Sequence, residues 1–522
     1  MQRDPAALTH DTFDVLIVGG GSHGLFAAYD AALRGLRVAV IDRGDLGGGL
    51  SASHQRTLHG GLRAMQSGDL SKTRAQIRER RTWARIAPQL IRPLPFLFGT
   101  YRQLKRSRTA VRVGFAAYDY LARHRNDGVT GELHLPKGRL ESAAVTTRLF
   151  PEINRTGLTG GAMWYDYQTT QAERLTWCIA LAADRAGATL VNYVEAVGPR
   201  PDHAPGMTAR DVLTGAPLTI AARTVVFSAA DGLGALYAAF GLSGAPPLLR
   251  AMNLLIDRPA MDMAHVAAAS TGRMLTAVPW RGYVLVGTSQ TAHAVPPGTR
   301  ATPEDITAFL AEANSAFPYL KATTDDIRLV HDGLVPAAQT RRGLDLPRDF
   351  EVRSHAGVGK PELISLIGAK YTTARLAAEK AIDAVCRQLG KAATRSETAD
   401  RPLPHAEVAD VEGHLIEAAR ETGGPLDPDV LRHLGAWYGT GAPGVLRYAR
   451  ASRWGDERVI ASAPVLAAEA AYACERSMAI TAEDVIYRRT ALGGTGRVER
   501  QLIDRVESLL RGIVKSGINS TN

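Results

Sequence analysis

The stretch DVLIVGGGSHGLFAAYDAALRGLRVAVID, residues 14–42, decides the fold. Val15, Leu16, Ile17 and Val18 form an apolar run of the length of a buried parallel strand. Gly19, Gly21 and Gly24 follow in the spacing G-x-G-x-x-G. The first glycine allows a tight turn, the second lets a pyrophosphate approach the backbone, and the third lets the next helix pack closely on the strand. Ser22 and His23 stand inside this turn and join the candidate cofactor contacts. The helix that follows directs its N-terminal N–H groups and positive dipole end at the phosphates. Val38, Ala39, Val40 and Ile41 make a second strand, and Asp42 at its end, with Arg43 beside it, is placed to accept hydrogen bonds from a ribose hydroxyl pair. A glycine-rich structural turn would not need that acid. The unit reads as a dinucleotide-binding βαβ motif.

The whole chain has 522 residues, enough for two or more domains with large cores. Hydrophobic residues are 45% and charged ones 22%, an ordinary globular balance. The net charge of +10 is diffuse and arginine-rich, which suits anionic substrates, anionic cofactors or a membrane surface. No basic stretch is interleaved with aromatics, so nucleic acid is not an expected partner. Cys178, Cys386 and Cys474 are scattered in apolar helical contexts and read as buried free thiols, with neither a disulfide framework nor a metal site. Residues 1–13 are polar, and no apolar run approaches bilayer length. The expectation is a cytoplasmic protein, with peripheral membrane attachment and a homodimer left open.

After Asp42 the chain does not enter another helix at once. Gly44, Gly47, Gly48 and Gly49 lead into SASHQRTLHGGLRAM, beginning at Ser51. So long an irregular connection suits a flavoprotein, in which the segment after the second strand runs along the ring. Gly60 and Gly61 permit close backbone approach, and His59 and Arg63 supply polar groups beside it. Residues 70–86 form a strongly basic amphipathic helix, read as a solvated face with a membrane surface as the weaker alternative. Residues 88–140, with Pro88, Pro93 and Pro95, read as short helices inserted between strands. Residues 161–175 enter a helix over 173–186, ATLVNYVEAVG alternates as one strand, and 207–220 reads as a hairpin. Residues 224–231 end a buried strand in small residues, with Ala230 where the sheet returns to the phosphates. MNLLI, RMLTAVPW and YVLVGTSQ suggest an antiparallel substrate sheet, mainly about 245–350. A helix follows over 302–317, capped by Thr302. Residues 362–385 read as strand, glycine turn at Gly368 and helix, with Lys370, Tyr371 and Thr372 at the helix start. A linker at 391–404 separates residues 1–395 from an all-helical domain, 404–522.

Through LHGGLR at residues 58–63 and GAKYTT at 368–373, the chain resembles the FAD-dependent glycerol-3-phosphate dehydrogenases and oxidases nearly end to end. The resemblance implies an α/β fold: a Rossmann-like FAD-binding domain of the p-hydroxybenzoate-hydroxylase/glutathione-reductase type, an antiparallel substrate domain and an all-α C-terminal domain. It implies FAD as cofactor, oxidation of a secondary alcohol of a small anionic substrate by hydride transfer to flavin N5, and quinone or oxygen as electron acceptor. By the same resemblance Arg63 and Arg348 would hold the substrate's phosphate, and Lys370 and Thr372 would lie near substrate and flavin. A planar guanidinium pairs phosphate oxygens two at a time. A base must take the hydroxyl proton; His59 is the first candidate and His331 the second, although His331 also fits a structural histidine at a strand end.

The sequence departs from that family at several points. The family's G-V-R-P is Gly333-Leu334-Val335-Pro336, its tyrosine after GGLR is Ala64, and its G-T-T-D is Gly287-Thr288-Ser289-Gln290. The serine-rich run along the flavin is Ser51-Ala52-Ser53-His54-Gln55-Arg56. Losing one buried arginine removes a charge-assisted contact worth roughly 1.5–3 kcal/mol, tenfold to a hundredfold in affinity. Arg341 or Arg342 on the same loop is a possible substitute. A different alcohol or amine substrate, or a catalytically silent relative, are the rival readings.

Overall fold

The computed structural model describes residues 1–518 apart from 67, 104–105, 292–293, 341–342, 348, 393 and 408–409; at 63, 66 and 514–518 it describes the backbone alone. The opening apolar runs become adjacent parallel strands, Phe13–Val18 and Val38–Ile41, in register from Val15 opposite Val38 to Val18 opposite Ile41. Both are buried almost throughout, as an all-parallel centre covered on two faces requires. The sheet continues in one direction through Thr189–Val191 and in the other through Pro217–Phe227, Lys360–Ile367 and the antiparallel Glu351–His355. Helices Ser22–Leu33, Ala172–Arg185 and Ala374–Gln388 cover one face.

ATLVNYVEAVG, expected as one strand, is two. Thr189–Val191 belongs to the parallel sheet, and Val194–Gly198 turns away to pair with Gly206–Asp211. Tyr193 takes a left-handed φ of 54° at the break.

Among the described residues the second sheet has nine strands, Arg139–Glu141 beside Leu158–Thr169 included, and is larger than the 245–350 stretch. From Ile327–Pro336 it runs through Leu248–Ile256, Tyr283–Gln290, Met274–Trp280 and Ala264–Ala268 to Ile91–Tyr101, Leu158–Thr169 and the short Thr57–Leu58. Ile91–Tyr101 is an eleven-residue strand where short helices were expected. Its prolines are tolerated for a specific reason: the parallel neighbour begins pairing only at Phe96, beyond Pro93 and Pro95. One face of this sheet packs on Pro303–Ala316, whose N-terminus carries the full Thr302/Asp305 capping box.

Beyond residue 410 the chain is helical, from Val411–Thr422 to Arg500–Ile518. Among the described residues no helix is long and apolar enough to cross a membrane, no cluster could hold a metal, and the three cysteines are free.

Candidate active site

The glycine turn is closed by steric necessity. Gly19 has φ +113°, and a Cβ on Gly24 would overlap the Gly19 carbonyl oxygen, so helix Ser22–Leu33 can sit on the strand end only with glycine there. Ser51 Oγ accepts from the Ser22 N–H at 2.9 Å, tying the later segment to the helix start. Asp42 accepts from the Gly20 N–H at 2.7 Å and the Gly44 N–H at 2.8 Å. Burial pushes its carboxyl up to about 6, against the opposing pull of those two amides. A carboxylate has about four acceptor sites, so a ribose can share it. His23 presses its ring against Gly368, and its buried Nε2 has no partner. Burial lowers His23 to about 4, which keeps the imidazole neutral. Ala230, with φ 45°, opens the turn after Phe227, and Arg43 at the exposed rim pairs with Asp231 at 3.0 Å. A glycine cradle, an acid fixed at a strand end and an orphaned buried imidazole nitrogen together fit the phosphates and sugar of FAD.

From Leu50 onward the chain crosses the second sheet. Leu50 fills the space above Gly333, and Gln55 Nε2 donates to the carbonyls of Thr276 and Gly287 at 2.9 and 3.1 Å. Arg56 lies 5.1 Å over the Trp280 ring and pairs with Glu173 at 2.6 Å. His54 stacks on Tyr371 at 4.5 Å, and Tyr371 shares a hydrogen bond of 2.9 Å with Thr176.

The segment ends at the His59-Gly60-Gly61 turn. His59 donates its backbone N–H to Thr372 Oγ1 at 3.1 Å, and its Nδ1 lies 3.2 Å from Asp166 Oδ2. The other carboxylate oxygen of Asp166 accepts from the Gly60 N–H at 2.8 Å and from Arg80 at 2.5 Å. Tyr118 donates to the Gly60 carbonyl at 2.8 Å, and any Cβ at Gly60 would collide with Arg80 and Tyr118. Trp83 donates to the Thr372 carbonyl at 3.0 Å, so the turn Tyr371–Thr373 and the histidine turn are locked together. Replacing Thr372 by valine is expected to cost about 1–3 kcal/mol by stranding the His59 amide, read as a lower Tm with the fold retained.

Residues 14–384 match the family model described as FAD dependent oxidoreductase, and residues 364–514 match the C-terminal domain of alpha-glycerophosphate oxidase. The chain belongs to the FAD-dependent oxidoreductase family. Among curated relatives it is 29% identical over 511 residues to the glycerol-3-phosphate dehydrogenase of Synechocystis sp., covering 94% of this chain and 90% of that one. The human mitochondrial glycerol-3-phosphate dehydrogenase is 28% identical over 510 residues, covering 92% of this chain and 67% of its own. The fold matches that of the glycerol-3-phosphate dehydrogenase from Bacillus halodurans complexed with FAD, with a TM-score of 0.75 at 24% identity, over 98% of this chain and 92% of that one.

In this oxidoreductase His59 and Thr372 meet directly, with Gly60, Gly61, Tyr371 and the half-buried Lys370 adjoining them in the chain. Arg63 lies on the short helix Leu62–Gln66; its side chain, and Arg341, Arg342 and Arg348 entirely, lie outside the described residues. His331 is only 6% exposed, and burial and the Arg56 charge hold it well below the usual histidine range. Val335 is 5% exposed and packs with Leu249, Ala337 and Leu50. Asp166, Arg80 and Tyr118 went unnoticed in the sequence. The one signal for Asp166 was an acid alone among aromatics in a strand, MWYDY. Arg80 lies on the same basic helix but turns inward, whereas Arg74 and Arg78 remain outside.

Proposed function

We propose that this flavoprotein oxidises a secondary alcohol of a small anionic substrate, in the manner named for its glycerol-3-phosphate dehydrogenase relatives. The observation that carries the reading is His59. Its backbone is held by the turn that follows Gly368, its ring is braced on one side by Asp166, and its side chain is still 53% exposed. FAD, when bound, supplies the hydride acceptor. His59 takes the hydroxyl proton, because a carbinol gives up hydride readily only as its oxygen becomes alkoxide-like. Lys370 at the neighbouring turn, with Arg63 and Arg348, supplies positive charge for the substrate's anionic group and the developing alkoxide. Quinone or oxygen takes the electrons onward, and a quinone acceptor would bring the exposed guanidiniums of Arg74 and Arg78 to an anionic membrane surface.

Val335 favours a second reading. Its surroundings are apolar, with Leu249 and Ala337 in the same buried cluster and Leu50 packed against it. A different alcohol or an amine is then the substrate of the same flavin site. FAD-loaded protein assayed with glycerol 3-phosphate and an artificial electron acceptor separates the two. Turnover in the ordinary enzymatic range, about 1–1000 per second, supports the first reading. A flavin-loaded sample that stays oxidised with glycerol 3-phosphate but is bleached by another alcohol or amine supports the second.

A further inference from the structure

The carboxylate behind His59 is built more carefully than a structural acid needs to be. Asp166 sits on strand Leu158–Thr169 with its side chain 4% exposed. One oxygen is fully occupied by the Gly60 amide and the Arg80 guanidinium, so the other is left for the imidazole alone. Burial would favour the neutral acid, but the hydrogen bond with His59 and the Arg80 charge outweigh it and hold the carboxyl below its usual range. An ionised carboxylate has no hydrogen to give, so at 3.2 Å the proton between the two groups must be on His59 Nδ1. In the neutral imidazole the lone pair is then on Nε2, the nitrogen turned away from Asp166.

We infer that Asp166 is a positioning residue for the oxidation: it fixes His59 in the tautomer whose Nε2 accepts the substrate's hydroxyl proton, and Arg80 and the Gly60 amide fix Asp166. This rests on the reading of His59 as the base. Among the described residues, the groups around the ring offer no competing acceptor to Nδ1. Phe96 faces it at 6.0 Å between ring centres, Thr372 is engaged by the backbone amide, and Tyr118 reaches only the Gly60 carbonyl. The charged neighbour is Arg80, which binds the far side of the carboxylate, with Lys370 in the adjoining turn. When the hydroxyl proton arrives on Nε2 the ring becomes a cation, and the buried Asp166 charge stabilises it there.

The test uses the full-length, FAD-loaded protein. In the unmodified chain, nitrogen NMR of the neutral His59 ring is expected to show a protonated Nδ1 and a bare Nε2. Asp166→Asn keeps the shape but turns an amide N–H toward Nδ1. It is expected to reverse the tautomer, to lower the kcat for flavin reduction by glycerol 3-phosphate about a hundredfold or more with little change in KM, and to move the rising limb of the pH profile. Loss of the carboxylate charge beside the buried Arg80 can unfold the variant; in that case the tautomer of the unmodified protein decides by itself. A bare Nδ1 in the unmodified protein, or an unchanged tautomer and pH profile in Asp166→Asn, overturns the inference. His59→Gln addresses the underlying reading separately. If that variant reduces flavin as fast as the parent, His59 is not the base, whatever its tautomer.

Discussion

Gly24→Ala is expected to yield a folded protein that no longer retains FAD, with its visible flavin absorbance lost on desalting. The added Cβ would overlap the Gly19 carbonyl oxygen and come up against the Ile17 side chain. Neither can retreat, because Gly19 is pinned by its amide to Ile41 and Ile17 is buried in the central strand. The relief available is a shift of helix Ser22–Leu33 away from the strand end. Such a shift carries off the helix N-terminus, His23 and the Ser22–Ser51 contact together, so every phosphate-facing group on the helix moves at once. The overpacking itself costs about 1–3 kcal/mol, which a chain with this much core tolerates. The loss in affinity is larger, because a backbone site for pyrophosphate has no side chain with which to compensate; a decline of about a hundredfold or more, near 3 kcal/mol, is expected. Comparison of flavin retention with circular dichroism checks it, and a variant that stays yellow and unfolds at the parental temperature contradicts it.

How much of this was legible beforehand follows the range of the interactions. Helix Leu70–Ile86, the Thr302 cap and the strand–turn–helix from Lys360 to Gln388 are local patterns, and the sequence places their ends to within three residues. Strand Ile91–Tyr101 was hidden by its prolines, which mark a helix or a loop unless it is known that no strand pairs on that edge before Phe96. The break at Tyr193 was hidden because alternation continues straight through it, and only pairing partners reveal two sheets. The site divides in the same way. The glycine motif and HGGLR were readable because each is a pattern of a few consecutive residues. Asp166 meets Gly60 across 106 positions and Arg80 across 86, and no local pattern tells an inward arginine on a basic helix from its solvated neighbours. The cost of burying Arg80 unpaired does imply a partner once the packing is known.

The same rule gives the largest expected effect on stability. Asp45→Ala is expected to destabilise the protein by about 3–5 kcal/mol and to loosen FAD as a consequence. Asp45 is 6% exposed and lies three residues beyond Asp42. Its carboxylate accepts from Arg488 Nε at 2.6 Å, from both terminal nitrogens of Arg489 at 2.8 and 2.7 Å, and from Asn192 at 3.0 Å. Arg489 also lies 3.8 Å over the Trp177 ring, and Asp484 of the same helical segment receives the Tyr193 hydroxyl at 2.7 Å. The all-helical part of the chain is thereby bolted to the loop that continues from Asp42. Without Asp45, Arg489 is left buried with no carboxylate, while Arg488 keeps Asp484. The loop from Asp42 to Leu50 loses its floor, so both thermal stability and flavin retention should fall, and excess FAD should recover part of the Tm because it binds only the folded form. Asp45→Asn retains the shape and should lose less than alanine does. A helical domain that merely sat alongside would predict neither the flavin loss nor its recovery, and melting curves with and without added FAD distinguish the two arrangements.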